Sequence, residues 1–244
     1  MRQQAPGQVG RHPRPARRHL VVGGLAAALL LTGCRGGDGS EGSSASPEDV
    51  LAEARAQLDE TSAVRVGLST EELPEGTDGV LQATGVGTHA PAFEGDITVL
   101  ISGITADVPV VALDGTVHAK LPFTKEYVEI DPADYGSPDP AQLMATEGGI
   151  SSWLTEATGV EEGEQTRAGE AVLTTYSGSV PGDAVASVIP SADRTATFDA
   201  TFEVDDAGRM VQALVTGPFY GSAGEVSYTV ALSDYGTDEE ITAP

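Results

Sequence analysis

One cysteine occurs in 244 residues, and its setting carries the most specific chemistry in the chain. Leu31-Thr32-Gly33-Cys34 puts a branched apolar residue and two small residues directly before the thiol. Small residues let a signal peptidase close on the backbone. A lone cysteine has no internal disulfide to form, so its thiol is left to accept a diacylglyceryl group. The other nucleophiles and ligands are sparse. His89 and His118 fall in separate strand regions, and no Cys/His spacing suits a metal. No G-x-S-x-G elbow occurs. Gly85-Val86-Gly87-Thr88-His89-Ala90 loosely fits a dinucleotide fingerprint, but it lacks the strand–turn–helix setting that gives the motif meaning. Asp205-Asp206 and Asp238-Glu239-Glu240 have the oxygen ligands calcium takes, but solvated turn acids are the far commoner reading of such runs. No catalytic constellation, cofactor or metal site follows from these residues.

The residues before Cys34 are the elements that would deliver it. Arg2, Arg11, Arg14, Arg17 and Arg18 make residues 1–19 basic, with no acid among them. Leu20–Leu31 follows as twelve uncharged, mostly apolar residues, short of the ~20 a spanning helix needs. The pattern predicts a lipoprotein export signal over residues 1–33. Arg17-Arg18 is compatible with twin-arginine export as well as the general route. Cys34 would then anchor the mature chain to the outer face of the cytoplasmic membrane. Each buried methylene of the acyl chains contributes about 0.8 kcal/mol. Arg35–Ser46 reads RGGDGSEGSSAS, a Gly/Ser tether with an r.m.s. span of about 20 Å.

All 37 acidic residues lie beyond residue 33, against eight Lys and Arg, a formal charge of −29. That excess excludes nucleic-acid binding, which needs cations for phosphates. It argues equally against electrostatic docking on anionic lipid. Residues 47–244 suffice for one domain.

Ser46-Pro47-Glu48-Asp49 predicts a helix start, with Val50, Leu51, Ala54 and Leu58 as its apolar stripe and an end near Glu60. Period-two patterning follows at Val64–Leu68, Gly79–Thr88, Ile97–Ile101, Asp107–Leu113, Thr116–Leu121 and Glu126–Ile130, with Asp114-Gly115 as a two-residue hairpin turn. Prolines break the pattern over Asp131–Thr158, where Ala141–Thr146 and Ile150–Ala157 read as short helices. Strands return at Ala171–Val180, Ala196–Val204, Met210–Thr216 and Glu225–Leu232, with a short helix at Pro181–Ile189. The sum is an α+β domain: nine or ten antiparallel strands in a strongly curved sheet, with helices packed on its concave face. Inward positions Ala83, Gly85, Ala112, Ala119, Ala196 and Ala200 are small. They leave room for a ligand or let helices sit close; the pattern allows both.

Val108–Ala119, Asp131-Pro132-Ala133-Asp134-Tyr135, Gly149–Ala157, Gly169–Gly178 with Val180, and Leu232-Ser233-Asp234-Tyr235-Gly236 with Ile241 and Pro244 occur in this order after the cysteine motif. Taken together the mature chain resembles the LppX/LprAFG lipoproteins of actinobacterial cell envelopes, over about Pro47 to Pro244. The resemblance implies a half-barrel sheet with helices around an apolar cavity. It implies carriage of multi-acyl lipids or lipoglycans across the envelope, a lipid-exporting membrane transporter as a partner, and no catalytic residues. This chain departs in its acidity and in its acidic, Pro/Gly-rich Glu71–Gly79 loop. Lipid tails in water cost about 0.8 kcal/mol per CH₂, so transfer across an aqueous gap needs a dry container. Its expected lining is Ile97, Val99 and Ile101 with Val108 and Val110 opposite, and Trp153 and Leu154 as a lid. Two other readings stay open: a non-carrying scaffold or transporter regulator, with a filled core, and an enzyme acting on envelope lipids, with converging polar groups.

Overall fold

The computed structural model describes residues 45–135 and 137–244. The Leu31-Thr32-Gly33-Cys34 motif, the expected export signal and nearly all of the expected tether lie outside the described residues.

Helix α1 (Pro47–Glu60) starts where the sequence places it. The Ser46 hydroxyl accepts from Asp49 N, and the Asp49 carboxylate accepts from Ser46 N, so two otherwise unsatisfied donors are capped reciprocally. Leu51, Ala54 and Leu58 are buried along one stripe.

Eleven strands follow: β1 (Ala63–Ser69), β2 (Gly79–Thr88), β3 (Ala92–Ile101), β4 (Ile104–Leu113), β5 (Thr116–Ala119), β6 (Val128–Ile130), β7 (Thr158–Ala168), β8 (Ala171–Pro181), β9 (Thr197–Asp205), β10 (Met210–Gly217) and β11 (Val226–Ser233). They form one open antiparallel sheet in the order β6-β5-β4-β3-β2-β1-β11-β10-β9-β8-β7. Two meanders, β1–β6 and β7–β11, are joined by one non-sequential pairing, in which Arg65 stands opposite Ser233 and Ser69 opposite Thr229. The two edges of the sheet are therefore β6 and β7, which are consecutive in the chain. The segment between them must travel from one edge to the other across a face of the sheet. It carries two 3-10 turns, Pro132–Tyr135 and Pro140–Met144, and helix α2 (Ser152–Glu156). Helix α3 (Gly182–Val188) sits between β8 and β9.

The strand missing from the sequence reading is β7. It reads TGVEEGEQTRA, and every residue but Val160 is exposed, so it has no apolar alternation to detect. Charged residues along an edge also discourage pairing with another sheet. Strand β3 begins at Ala92 rather than Ile97. It turns into β4 through Ser102-Gly103, both at positive φ (51° and 77°), as are Asp114 and Gly115 in the expected hairpin turn. The helices expected at Ala141–Thr146 and Ile150–Ala157 shrink to a 3-10 turn and a five-residue helix.

The core divides in two. The larger cluster gathers α1, α2, α3, β1 and β8–β11 around Phe198, Phe202, Phe219, Trp153 and Tyr228. Phe198, Phe219 and Tyr228 stack edge to face, with centroids 4.9 and 5.0 Å apart. The smaller cluster holds Phe93, Val108, Val110, Ala112, Val117, Ala119 and Ala141, on β3–β5 and the Pro140–Met144 turn.

Candidate functional site

The strand period fixes what faces inward. Along β3, Phe93, Ile97, Val99 and Ile101 share one face, and the register sets Ile97 against Val108 and Val99 against Ala106 on β4. On β2, Val80 and Ala83 would point to opposite faces in a regular strand. One extra residue, Leu81, shifts the register between Val80 and Gln82, so both face the same side.

These side chains form one wall of a cavity of about 180 Å³. The strap between β6 and β7 forms the opposite wall with Pro132, Pro138, Pro140, Leu143, Ile150 and Trp153. Val188, Ile189, Tyr220, Tyr228 and Val230 close it on the side of the larger core. Lining residues Ile101 (39% exposed) and Tyr135 (46%), together with exposed Pro122, bring the cavity to the surface. Gly79, Ile101 and Leu121 lie at the same end of the sheet by register, which places the mouth there.

Of the expected lining, Ile97, Val99, Ile101, Val108, Val110 and Trp153 are in the wall. Leu154 is not. It is buried in the larger core, because consecutive helical residues point about 100° apart and Trp153 takes the direction toward the cavity. Trp153, expected as part of a lid, is held inside. It is 1% exposed, and its indole Nε1 donates to Ala184 O at 3.1 Å, which ties it to α3. Of the six small inward residues only Ala83 borders the cavity. Ala112 and Ala119 are buried in the smaller core, and Ala196 and Ala200 belong to the larger one. Gly85 is small because the Phe93 ring covers it: a Cβ there would lie 2.6 Å from Phe93 Cζ.

Polar groups in the wall are few. Tyr228 Oη donates to Val80 O at 2.8 Å and meets Tyr220 Oη at 2.7 Å. Burial pushes both phenols upward, so they stay neutral donors and acceptors. Ser137, Ser191 and Tyr135 complete the hydroxyl set. Among the described residues the lining includes no His, Cys, Asp, Glu, Lys or Arg. His89 lies in the turn after β2, where its Nε2 contacts Leu58 O at 2.7 Å, and His118 lies on β5. No cluster of three metal-ligating side chains occurs among the described residues. The loop carrying Asp205 and Asp206 is a capped hairpin turn. Asp205 Oδ1 accepts from Ala207 N and Arg209 N, while Oδ2 accepts from the Arg209 guanidinium at 2.7 and 2.9 Å. Burial opposes ionisation of Asp205, but these donors win and hold the carboxyl below its usual range.

Sequence reasoning missed the strap prolines, Ile150 and the Tyr220–Tyr228 pair. The alternation along β11 marks Tyr228 as inward, but its partner sits in an irregular loop with no periodic signal.

The molecule is an open eleven-stranded antiparallel sheet with an apolar pocket beneath the segment that crosses it. The LppX_LprAFG lipoprotein family model matches residues 46–242, and the chain belongs to that family. The fold is similar to that of LprF from Mycobacterium bovis, at TM-score 0.65 and 13% identity over 81% of this chain and 96% of that one. It is also similar to lipoprotein LppX from Mycobacterium tuberculosis, at TM-score 0.56 and 16% identity over 79% of this chain and 98% of that one. A search of curated protein sequences returns no match. No described helix is long and apolar enough to cross a membrane.

Proposed function

We propose that this chain is a membrane-anchored lipoprotein that binds acylated lipids and carries them across the cell envelope. In this reading the sheet bends as a half-barrel, with the strap and helices on its concave face, and the tails lie in the cavity between them. Cys34 carries the lipid anchor, and the domain works on the outer face of the cytoplasmic membrane. A lipid-exporting membrane transporter is the natural supplier.

One observation carries the reading: a surface-reaching cavity with an almost wholly hydrocarbon wall, built by Ile97, Val99, Ile101, Val108 and Val110 against Pro138, Ile150 and Trp153. Apolar wall without a charged group pays little for burying methylenes and would penalise a charged substrate. It supplies no acid, base or nucleophile beyond a few hydroxyls, which favours binding over catalysis. At about 180 Å³ the cavity is of the order that holds one small apolar molecule. A lipid with several tails therefore requires the strap to move away from the sheet as it loads.

The test is native mass spectrometry of the full-length protein, with organic extraction of what co-purifies. Acylated lipid should be present in the parent and strongly reduced in Ile97→Trp, with circular dichroism unchanged. A parent protein that never yields lipid, even after incubation with an envelope extract, points instead to the non-carrying scaffold.

A further inference from the structure

The loop between β5 and β6 holds the chain's only two lysines, Lys120 and Lys125. Between them lies Leu121-Pro122-Phe123-Thr124. Leu121 and Pro122 line the cavity, while Phe123 next to them is fully exposed with φ +72°. A bulky aromatic in the left-handed region is strained, and here no burial compensates for it. Ile104 (70% exposed) is paired with Ile101 at the β3–β4 turn, on the same end of the sheet. Among the described residues Arg55, Arg65, Arg194 and Arg209 are ion-paired, whereas Lys120, Lys125 and, on the edge strand β7, Arg167 are not.

We propose that Lys120–Lys125, with Ile101 and Ile104, is a lip that docks the cavity mouth onto an anionic phospholipid bilayer. Phe123 and Ile104 enter the acyl boundary, and the two ammonium groups meet lipid phosphates. The inference rests on the lipid-binding reading of the cavity. A ligand passing between a bilayer and the cavity then never crosses open water, because the apolar lip is continuous with the lining. The overall charge of −29 does not prevent this. Glu71, Glu72 and Glu75 sit at the same end, but on the β1–β2 connection. At about 4.8 Å per strand, β1 lies roughly 19 Å from β5, about two Debye lengths at physiological salt. Two acids are nearer: Asp78, whose Oδ1 accepts from Ser102 N and which leaves a carboxylate at the β3–β4 turn, and exposed Asp107 on β4, so the cationic contact falls to the Lys120–Lys125 loop alone. Glu126 adjoins Lys125 and leaves the loop net cationic by one charge.

The experiment uses the full-length protein with vesicles of phosphatidylcholine, with or without phosphatidylglycerol, brominated on the acyl chains. Phe123→Trp supplies the reporter, with the unaltered protein giving the Trp153 background. Emission at position 123 should shift to the blue and be quenched on phosphatidylglycerol vesicles. A tryptophan in place of Thr166, exposed on β7, should stay in water. Adding Lys120→Gln and Lys125→Gln should weaken the phosphatidylglycerol-dependent quenching about fivefold per lysine. Water-like emission at position 123 on both vesicle types overturns the proposal, and points to a protein partner for the lip. Insertion that is indifferent to phosphatidylglycerol overturns the role of the lysines. Phe123→Asn keeps a residue tolerated at that φ and reports on carriage. Docking lost with co-purified lipid retained separates the lip from the cavity; docking retained without lipid sinks only the carrier reading.

Discussion

The two halves of the sheet use the same alternation for opposite ends. In the half built on β8–β11, the inward positions are Phe198, Phe202, Val204, Met210, Val215 and Tyr228, and α1, α2 and α3 fill the space above them. In the half built on β2–β5, the inward positions are mostly aliphatic, and the part of the strap over them is the proline-rich stretch with its 3-10 turns. Helices can interdigitate side chains with a sheet at interior packing density. A strap of 3-10 turns and prolines offers fewer side chains per length, so a gap remains. The aromatics follow the same division: Trp153, Tyr176, Phe198, Phe202, Phe219 and Tyr228 belong to the larger core, with Trp153 and Tyr228 also reaching the cavity wall, against Phe93 alone in the smaller one.

Phe202→Ala should expose the contrast most strongly. The ring is fully buried at the centre of the filled half, and its loss should cost about 3–5 kcal/mol in urea unfolding. Next comes Gly217→Ala, whose Cβ would run into the Phe198 ring, with an expected loss of about 1–3 kcal/mol. The Asp205–Arg209 turn should contribute about 1–2 kcal/mol, since the carboxylate is buried but the guanidinium is half exposed. The folded-state pKa of Asp205 is depressed, so this contribution is present above its unfolded value near 3.8. It is lost as pH falls through the lower folded value. Asp205→Asn should therefore be less stable at neutral pH and lose less on acidification. In the hollow half, Ile97→Ala removes carbons from a wall that already borders space and should cost only about 1 kcal/mol. Ile104→Ser, on the exposed lip, should change stability by less than about 0.5 kcal/mol. A hollow-half substitution as costly as Phe202→Ala would mean that the cavity is tightly supported core, and the comparison would fail.

Much of this was legible from residues. The capped start of α1, the Asp114-Gly115 turn and ten of the eleven strands follow from short-range rules: a side-chain oxygen reaching its third neighbour, a turn that requires positive φ, an apolar face repeating every second residue. Strand β7 was not legible, because a charged edge buries almost nothing on either side. The wall residues Ile97, Val99 and Val108 could be named because they alternate. Val80 could not be paired with Ala83, because a bulge is a property of two strands and not of one.

The sequence by itself determined the local elements, the inward-facing set of each strand, the acidic surface and the lone cysteine with its apolar approach. Only the tertiary structure decided which inward residues meet side chains and which meet space. That choice depends on the strap running from one edge of the sheet to the other, and on whether helix or proline lies above a given strand. Alternation reports that a face is covered; it carries no information about how completely the cover fills the volume beneath it.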